Sequence, residues 1–266
     1  QDSQANLFAG TAAGAARDAD TCFNIGIGQS AGKALNEGDG NIFLGCLAGS
    51  KATSGSDNIA LGRGAASNGN LQGNGNIALG YLAGEDLVTG AANVFLGYAA
   101  GCDTTTGTKN IAVGWNAMAA STTTGDCNIA LGPSAMSSPV GVTGACNIAI
   151  GVEANKCLTS GTQNITMGVQ AGHKITTGSG NIAIGPWAMS VDPITGSYNV
   201  VFGQCAGQNL NSGANNVFTG KCSGMYTQTG KCNVFSGLNA GKCRHSGCHN
   251  IAFGTCALIG TSTPSN

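Results

Sequence analysis

Asn58-Ile59-Ala60-Leu61-Gly62-Arg63-Gly64-Ala65 states the rule of this chain. Asparagine opens the motif, aliphatic residues stand one and three places on, glycine four places on, and alanine seven. The opening recurs at Asn6, Asn24, Asn41, Asn76, Asn93, Asn110, Asn128, Asn147, Asn164, Asn181, Asn199, Asn216, Asn233 and Asn250, at intervals of 17 to 19 residues across a chain of 266. Units that short bury no core alone, so the period implies a solenoid in which each coil is stabilised by its neighbours. Residues 1–266 are therefore expected to form a single repeat domain: a lead-in over 1–5, fifteen coils over 6–260 and a tail over 261–266.

Glycine occupies the fourth position of every unit, from Gly10 to Gly254, and a second glycine stands three places before thirteen of the fourteen later anchors. A helix would not tolerate that frequency, so both mark corners. Alanine fills the seventh position in fourteen units, with Ser223 the exception, which implies a site closed to larger side chains. Between the corners, pairs such as Ile77 and Leu79 or Ile182 and Ile184 lie two apart and share one face of a short strand. The expected fold is all-β: a parallel β-solenoid, or β-roll, of about 15 coils. At roughly 4.8 Å per coil it would extend on the order of 70 Å. The aliphatic pairs are expected inside, the second position outside, and the anchor amides stacked in a hydrogen-bonded ladder.

Composition fits a thin core, with 45 glycines, 5% aromatic and 9% charged residues. A formal charge of −1 gives no attraction to nucleic acid or acidic lipid, so neither is expected as a partner. No apolar run approaches the roughly 18 residues of a spanning helix, and membrane insertion is not expected. The chain begins at Gln1, which fits removal of a leader or precursor segment, or a fragment of a longer protein.

Twelve cysteines suggest an oxidising, extracellular setting. Three pairs recur at similar phase on adjacent coils and are disulfide candidates: Cys127 with Cys146, Cys205 with Cys222, and Cys232 with Cys248. Cys22, Cys46, Cys102, Cys157, Cys243 and Cys256 have no partner at the same phase; they are open to diagonal pairing, pairing between chains, or remaining free. Cys243, His245, Cys248, His249 and Cys256 form the one run resembling a metal site, but without a clean CxxC a disulfide with surface histidines is the favoured reading. His173 has no positioned partner, no serine has a triad, and the carboxylates do not recur as calcium ligands would. Neither catalysis nor a cofactor is expected.

The second position is usually alanine but is phenylalanine at Phe8, Phe43, Phe95, Phe218 and Phe235. Read as outward, Phe8, Phe43, Phe218 and Phe235 become contacts between subunits, with Cys22 and Cys46 near one end and Cys243 and Cys256 near the other as cross-links. Threonines and serines crowd the second turn, including Thr89, Thr104, Thr123, Thr143 and Thr176. They cap turns or, on a rarer reading, form an ice-binding face. Asn164-Ile165-Thr166 is the one good sequon within the repeat, making Asn164 the candidate for N-linked glycan.

The Ile-Ala-Leu-Gly run followed by alanine, at residues 59–65, 77–83, 129–135 and 148–154, resembles the head repeats of trimeric autotransporter adhesins and the β-roll arrays of phage and algal-virus tail fibres. The resemblance implies a left-handed parallel roll, often trimeric, that serves as a spacer or receptor-binding surface. The expectation is thus an extracellular, secreted or virion-surface structural protein. It would be a fibre or filament subunit whose partners are copies of itself, end to end or as a trimer. The alternatives are a carbohydrate- or receptor-binding adhesin and an ice-binding solenoid.

Overall fold

The computed structural model describes residues 4–18 and 20–260. They fall into two compact units, one reaching to Ser134 and including Pro139–Val142, the other made of Ala135–Ser138 and the chain from Thr143 on. Both are built the same way. Strands of three residues, β1 (Leu7–Ala9) to β8 (Ile129–Leu131) in the first unit and β9 (Ile148–Ile150) to β15 (Ile251–Phe253) in the second, are separated by turns, with no helix among the described residues. Within each unit successive strands pair in parallel and in register: Ile59, Ala60 and Leu61 stand against Ile77, Ala78 and Leu79, and Ile182, Ala183 and Ile184 against Val200, Val201 and Phe202. The fold is a parallel β-solenoid repeating at about 17 residues.

Two different constraints put glycine at the corners. The fourth-position glycines hold φ between +111° and +138°, where L side chains are strained. A Cβ there would also strike the next coil: at Gly45 it would lie 2.6 Å from the Gly62 carbonyl oxygen. At the later corner, Gly247 with its φ of +119° excepted, the constraint is space. A Cβ on Gly107 would lie 2.7 Å from the Gly125 carbonyl oxygen and 2.8 Å from Asn110 Nδ2.

The strand faces are the reverse of the expected ones. The second position is buried, as at Ala60, Ala78, Phe95, Ala112 and Ala183, while the aliphatics at one and three are only half-buried or exposed. The anchor decides this. Asparagine at zero shares a face with position two, and the anchors from Asn6 to Asn233 are buried because their amides satisfy one another. Phe43, Phe95, Phe218 and Phe235 consequently lie in the core, with Phe218 and Phe235 stacked at 5.1 Å and 4°. Phe8 is half-buried, its ring filling the space beside Gly14 and Gly26. Phe43, Phe218 and Phe235 are therefore not available as subunit contacts.

Core volume is balanced within each coil between positions two and eight. Where position two is phenylalanine, position eight is glycine: a Cβ on Gly49 would sit 2.6 Å from the Phe43 ring, one on Gly101 2.5 Å from Phe95, and one on Gly224 2.7 Å from Phe218. Where position eight is methionine, as at Met118 and Met189, position two is alanine, Ala112 and Ala183, and all four are fully buried. Ala112→Phe alone should therefore overpack its coil and cost about 1–3 kcal/mol. Adding Met118→Gly should recover most of that loss, because it empties the needed space and Met118 holds φ +54°. Thermal melting of the single and double variants checks it, and equal losses would contradict it.

Candidate functional site

The dominant structural device is the asparagine ladder. Asn93 donates its main-chain N–H and its Nδ2 to Asn76 Oδ1, both at 3.0 Å, and Nδ2 also donates to the Gly107 carbonyl at 2.8 Å. One side chain thus ties its coil to the preceding anchor and to the second corner of its own coil. The pattern recurs in the second unit at Asn164, Asn181, Asn199, Asn216 and Asn233. Asn164 is therefore no glycan acceptor in the folded chain: it is fully buried, with Nδ2 held by Asn147 Oδ1 at 3.0 Å and the Gly178 carbonyl at 2.8 Å.

The cysteines are free thiols, Cys127, Cys146, Cys205, Cys222, Cys232 and Cys248 among them. For Cys205 and Cys222 the reason is the stacking that suggested the bond. Side chains in one column stand in parallel, which keeps their Cβ atoms about 4.8 Å apart, whereas a disulfide needs about 3.8 Å. Burial, then the neighbouring Cys222, raises the pKa of Cys205. Cys248 is in register with Lys231, not with Cys232, so the third pair is out of phase by one residue. Cys22, Cys46 and Cys243 are half-buried and Cys256 is exposed. Cys102 donates its S–H to Asp103 at 3.1 Å, and burial followed by that bond pushes its pKa up to about 12.

In the run from Cys243 to Cys256, His245 lies against Tyr226 with ring centroids 6.4 Å apart, while Cys248 and His249 are exposed. Among the described residues no three His, Cys, Asp or Glu side chains converge to hold a metal ion. Some second-turn hydroxyls serve the backbone: Thr143 and Thr176 donate to the carbonyls of Thr159 and Ile194 on the next coil, both at 3.3 Å. Thr104 and Thr123 are buried outright.

Two surface features escaped the sequence reading. In the second unit Glu153, Gln170 and Trp187 occupy the sixth position of consecutive coils and interlock: Trp187 Nε1 donates to Gln170 Oε1 at 2.9 Å, Gln170 Nε2 to Glu153 Oε2 at 2.7 Å, and Lys156 Nζ to Glu153 Oε1 at 2.6 Å. His173 Nε2 lies 3.7 Å from Glu153 Oε2. The bonds from Lys156 and Gln170 lower the pKa of Glu153, while burial and then Lys174 lower that of His173. Both shifts act in one direction. As pH falls through the ordinary 6.5 of histidine the unfolded chain takes up a proton that folded His173 resists, and further acidification removes the Glu153 contribution as its carboxylate protonates. The melting temperature should therefore fall on acidification below pH 6.5, and His173→Gln should flatten the upper part of that fall.

The second feature is a column at position five of the first unit. Tyr81 and Tyr98 stack at 5.1 Å and 28°, the Arg63 guanidinium lies 5.9 Å above Tyr81, and Trp115 follows on the next coil. Tyr98 and Trp115 are 50% and 55% exposed. Spacing modulo the coil would have found both features, because each is a column and not a local motif.

Asn155 is the one core position where a ladder-like amide has no ladder. It stands in the column of Met136 and Gly172, is fully buried, and neither its Nδ2 nor its Oδ1 has a protein partner. Asn155→Met, which copies Met136, should raise stability by about 1–3 kcal/mol by removing those unmet polar atoms. Chemical denaturation measures it; a loss of stability would contradict it.

No protein family, curated protein or solved structure matches the chain.

Proposed function

We propose that this chain is a non-catalytic, extracellular structural protein, a subunit of a fibre or filament on a virion or cell surface that partners with copies of itself. One observation carries the reading: coil after coil repeats one cross-section held by one internal amide ladder. The construction specifies a length of scaffold and devotes its most regular side chains to the interior. The outward rows at positions one and three support self-association, since Leu61, Ile111, Met167 and Phe202 are exposed apolar groups on otherwise regular faces. End-to-end polymers and trimers both use such faces. Electron microscopy of the native material tests this: continuous fibres or spikes are expected, and uniformly dispersed single chains at high concentration would overturn it.

The column of Arg63, Tyr81, Tyr98 and Trp115 favours a second reading, a carbohydrate-binding fibre, because exposed aromatic faces one coil apart suit the apolar faces of successive sugar rings. Glycan-array binding lost in Tyr98→Ala and Trp115→Ala would support it, and binding unchanged in both would remove it.

A further inference from the structure

The formal charge of −1 conceals a segregation. The first unit carries ten carboxylate residues against five lysines and arginines, a net charge of −5; the second carries two against six, a net charge of +4, and the two values together return the −1 of the whole chain. From Pro193 to Asn266 there is no Asp or Glu, while Lys221, Lys231, Lys242 and Arg244 all fall in that stretch. Among the described residues the first unit exposes its five cations, Arg17, Lys33, Lys51, Arg63 and Lys109, beside six carboxylates, whereas the second exposes cations and no carboxylate. Asp18, Asp20, Glu37, Asp39, Asp57 and Asp126 are exposed in the first unit, and Lys221 and Lys231 in the second.

Local pairing does little to cancel the imbalance within each unit. In the first, Lys51 donates to Asn68 at 2.8 Å and Arg63 lies over Tyr81, so two of the five cations engage neutral partners. Glu85, Asp86 and Asp103 are close enough that, after burial, their mutual repulsion raises the pKa of Glu85. In the second unit the same turn of the coil carries Lys156, His173 and Lys174, and Lys174 and Lys156 both disfavour a proton on His173. One carboxylate, Glu153, faces two of these groups, Lys156 and His173.

We propose that the acidic first unit of one copy docks against the basic second unit of another copy. Unlike halves meeting brings about five negative charges to about four positive ones, whereas like halves side by side would stack charges of one sign. The contact is heterologous when each copy binds a different next copy, giving an open assembly, and becomes two-fold when two copies exchange it reciprocally. Any arrangement that sets like units side by side is disfavoured in either case. The inference deepens the fibre reading and rests on its premise that copies associate.

The test is sedimentation velocity of the whole chain at about 20 mM and about 0.5 M salt, where the Debye length falls from roughly 20 Å to under 5 Å. It is combined with zero-length carbodiimide cross-linking of an equal mixture of unlabelled and nitrogen-15 chains, which identifies bonds between copies. Association weakened about tenfold or more by salt is expected. The cross-links between copies should join lysines of the second unit to carboxylates of the first. Lys221→Glu with Lys231→Glu, both at exposed positions, should weaken low-salt association, and the neutral Lys221→Gln with Lys231→Gln should weaken it less. Fibres that persist unchanged at high salt, or cross-links confined to like units, would overturn the pairing while leaving the fibre reading intact. Single chains at both salt concentrations would overturn both.

Discussion

Gly97→Ala should unfold the first unit or leave it severely destabilised, by about 3–5 kcal/mol. Two costs coincide at this residue. Its φ of +135° lies in a region that L residues scarcely enter, and the added methyl carbon would sit 2.6 Å from the Gly114 carbonyl oxygen. Neither can relax cheaply, because the obstacle is backbone and moving it would separate two coils paired in register between Leu96 and Val113. A surface substitution such as Gln72→Ala, on an exposed side chain, should change stability by under about 0.5 kcal/mol. Chemical denaturation of the two variants measures the contrast, and comparable midpoints would contradict the packing argument.

Asn199→Leu is the second large effect, with an expected loss of about 3–5 kcal/mol. Asn199 donates to Asn181 Oδ1 from its main chain at 3.0 Å and from Nδ2 at 2.9 Å, and Nδ2 also reaches the Gly213 carbonyl at 2.9 Å. Its own Oδ1 accepts from the main chain and side chain of Asn216, at 3.1 and 3.0 Å. Leucine has the same number and branching of side-chain heavy atoms and is more apolar, so burial alone would rank the change as favourable. The loss arises because the buried Gly213 carbonyl and the Asn216 main-chain N–H lose their partner, while Asn181 Oδ1 keeps only the main-chain bond. Asn199→Asp separates the terms, since it keeps an acceptor for Asn216 but loses both side-chain donations, and should itself be destabilising at neutral pH. A leucine variant as stable as the parent would show that the ladder contributes little.

The period, the two glycine corners, the short strands and the stacked anchors were all legible in the sequence, because each is a constraint repeated in nearly every unit. Which strand face turns inward was not. Alternation from Asn58 to Leu61 defines two faces, and hydropathy alone assigns Ile59 and Leu61 to the interior. The amide ladder reverses that ranking, since an asparagine whose donors and acceptor are met by its copies is at home inside. The chain did hold the signal: glycine follows six places after Phe8, Phe43, Phe95, Phe218 and Phe235, a rule with no purpose for outward rings. The cysteine pairings failed on finer points: Cys232 and Cys248 miss a common phase by one residue, and a shared phase such as that of Cys205 and Cys222 keeps parallel side chains a full strand spacing apart. The charge segregation and the aromatic column were missed because sums over the whole chain erase the first, and the second appears only when residues about 17 apart are read together.

The central claim is that the anchor amides are locked inside, one coil to the next. Hydrogen exchange of side-chain Nδ2 groups, followed by nuclear magnetic resonance, tests it directly, with the exposed Asn70 and Asn74 as internal references. The account predicts that Asn93, Asn181 and Asn199 exchange orders of magnitude more slowly than Asn70 and Asn74, at rates set by opening of the coils. Anchor amides that exchange as fast as the references would contradict it.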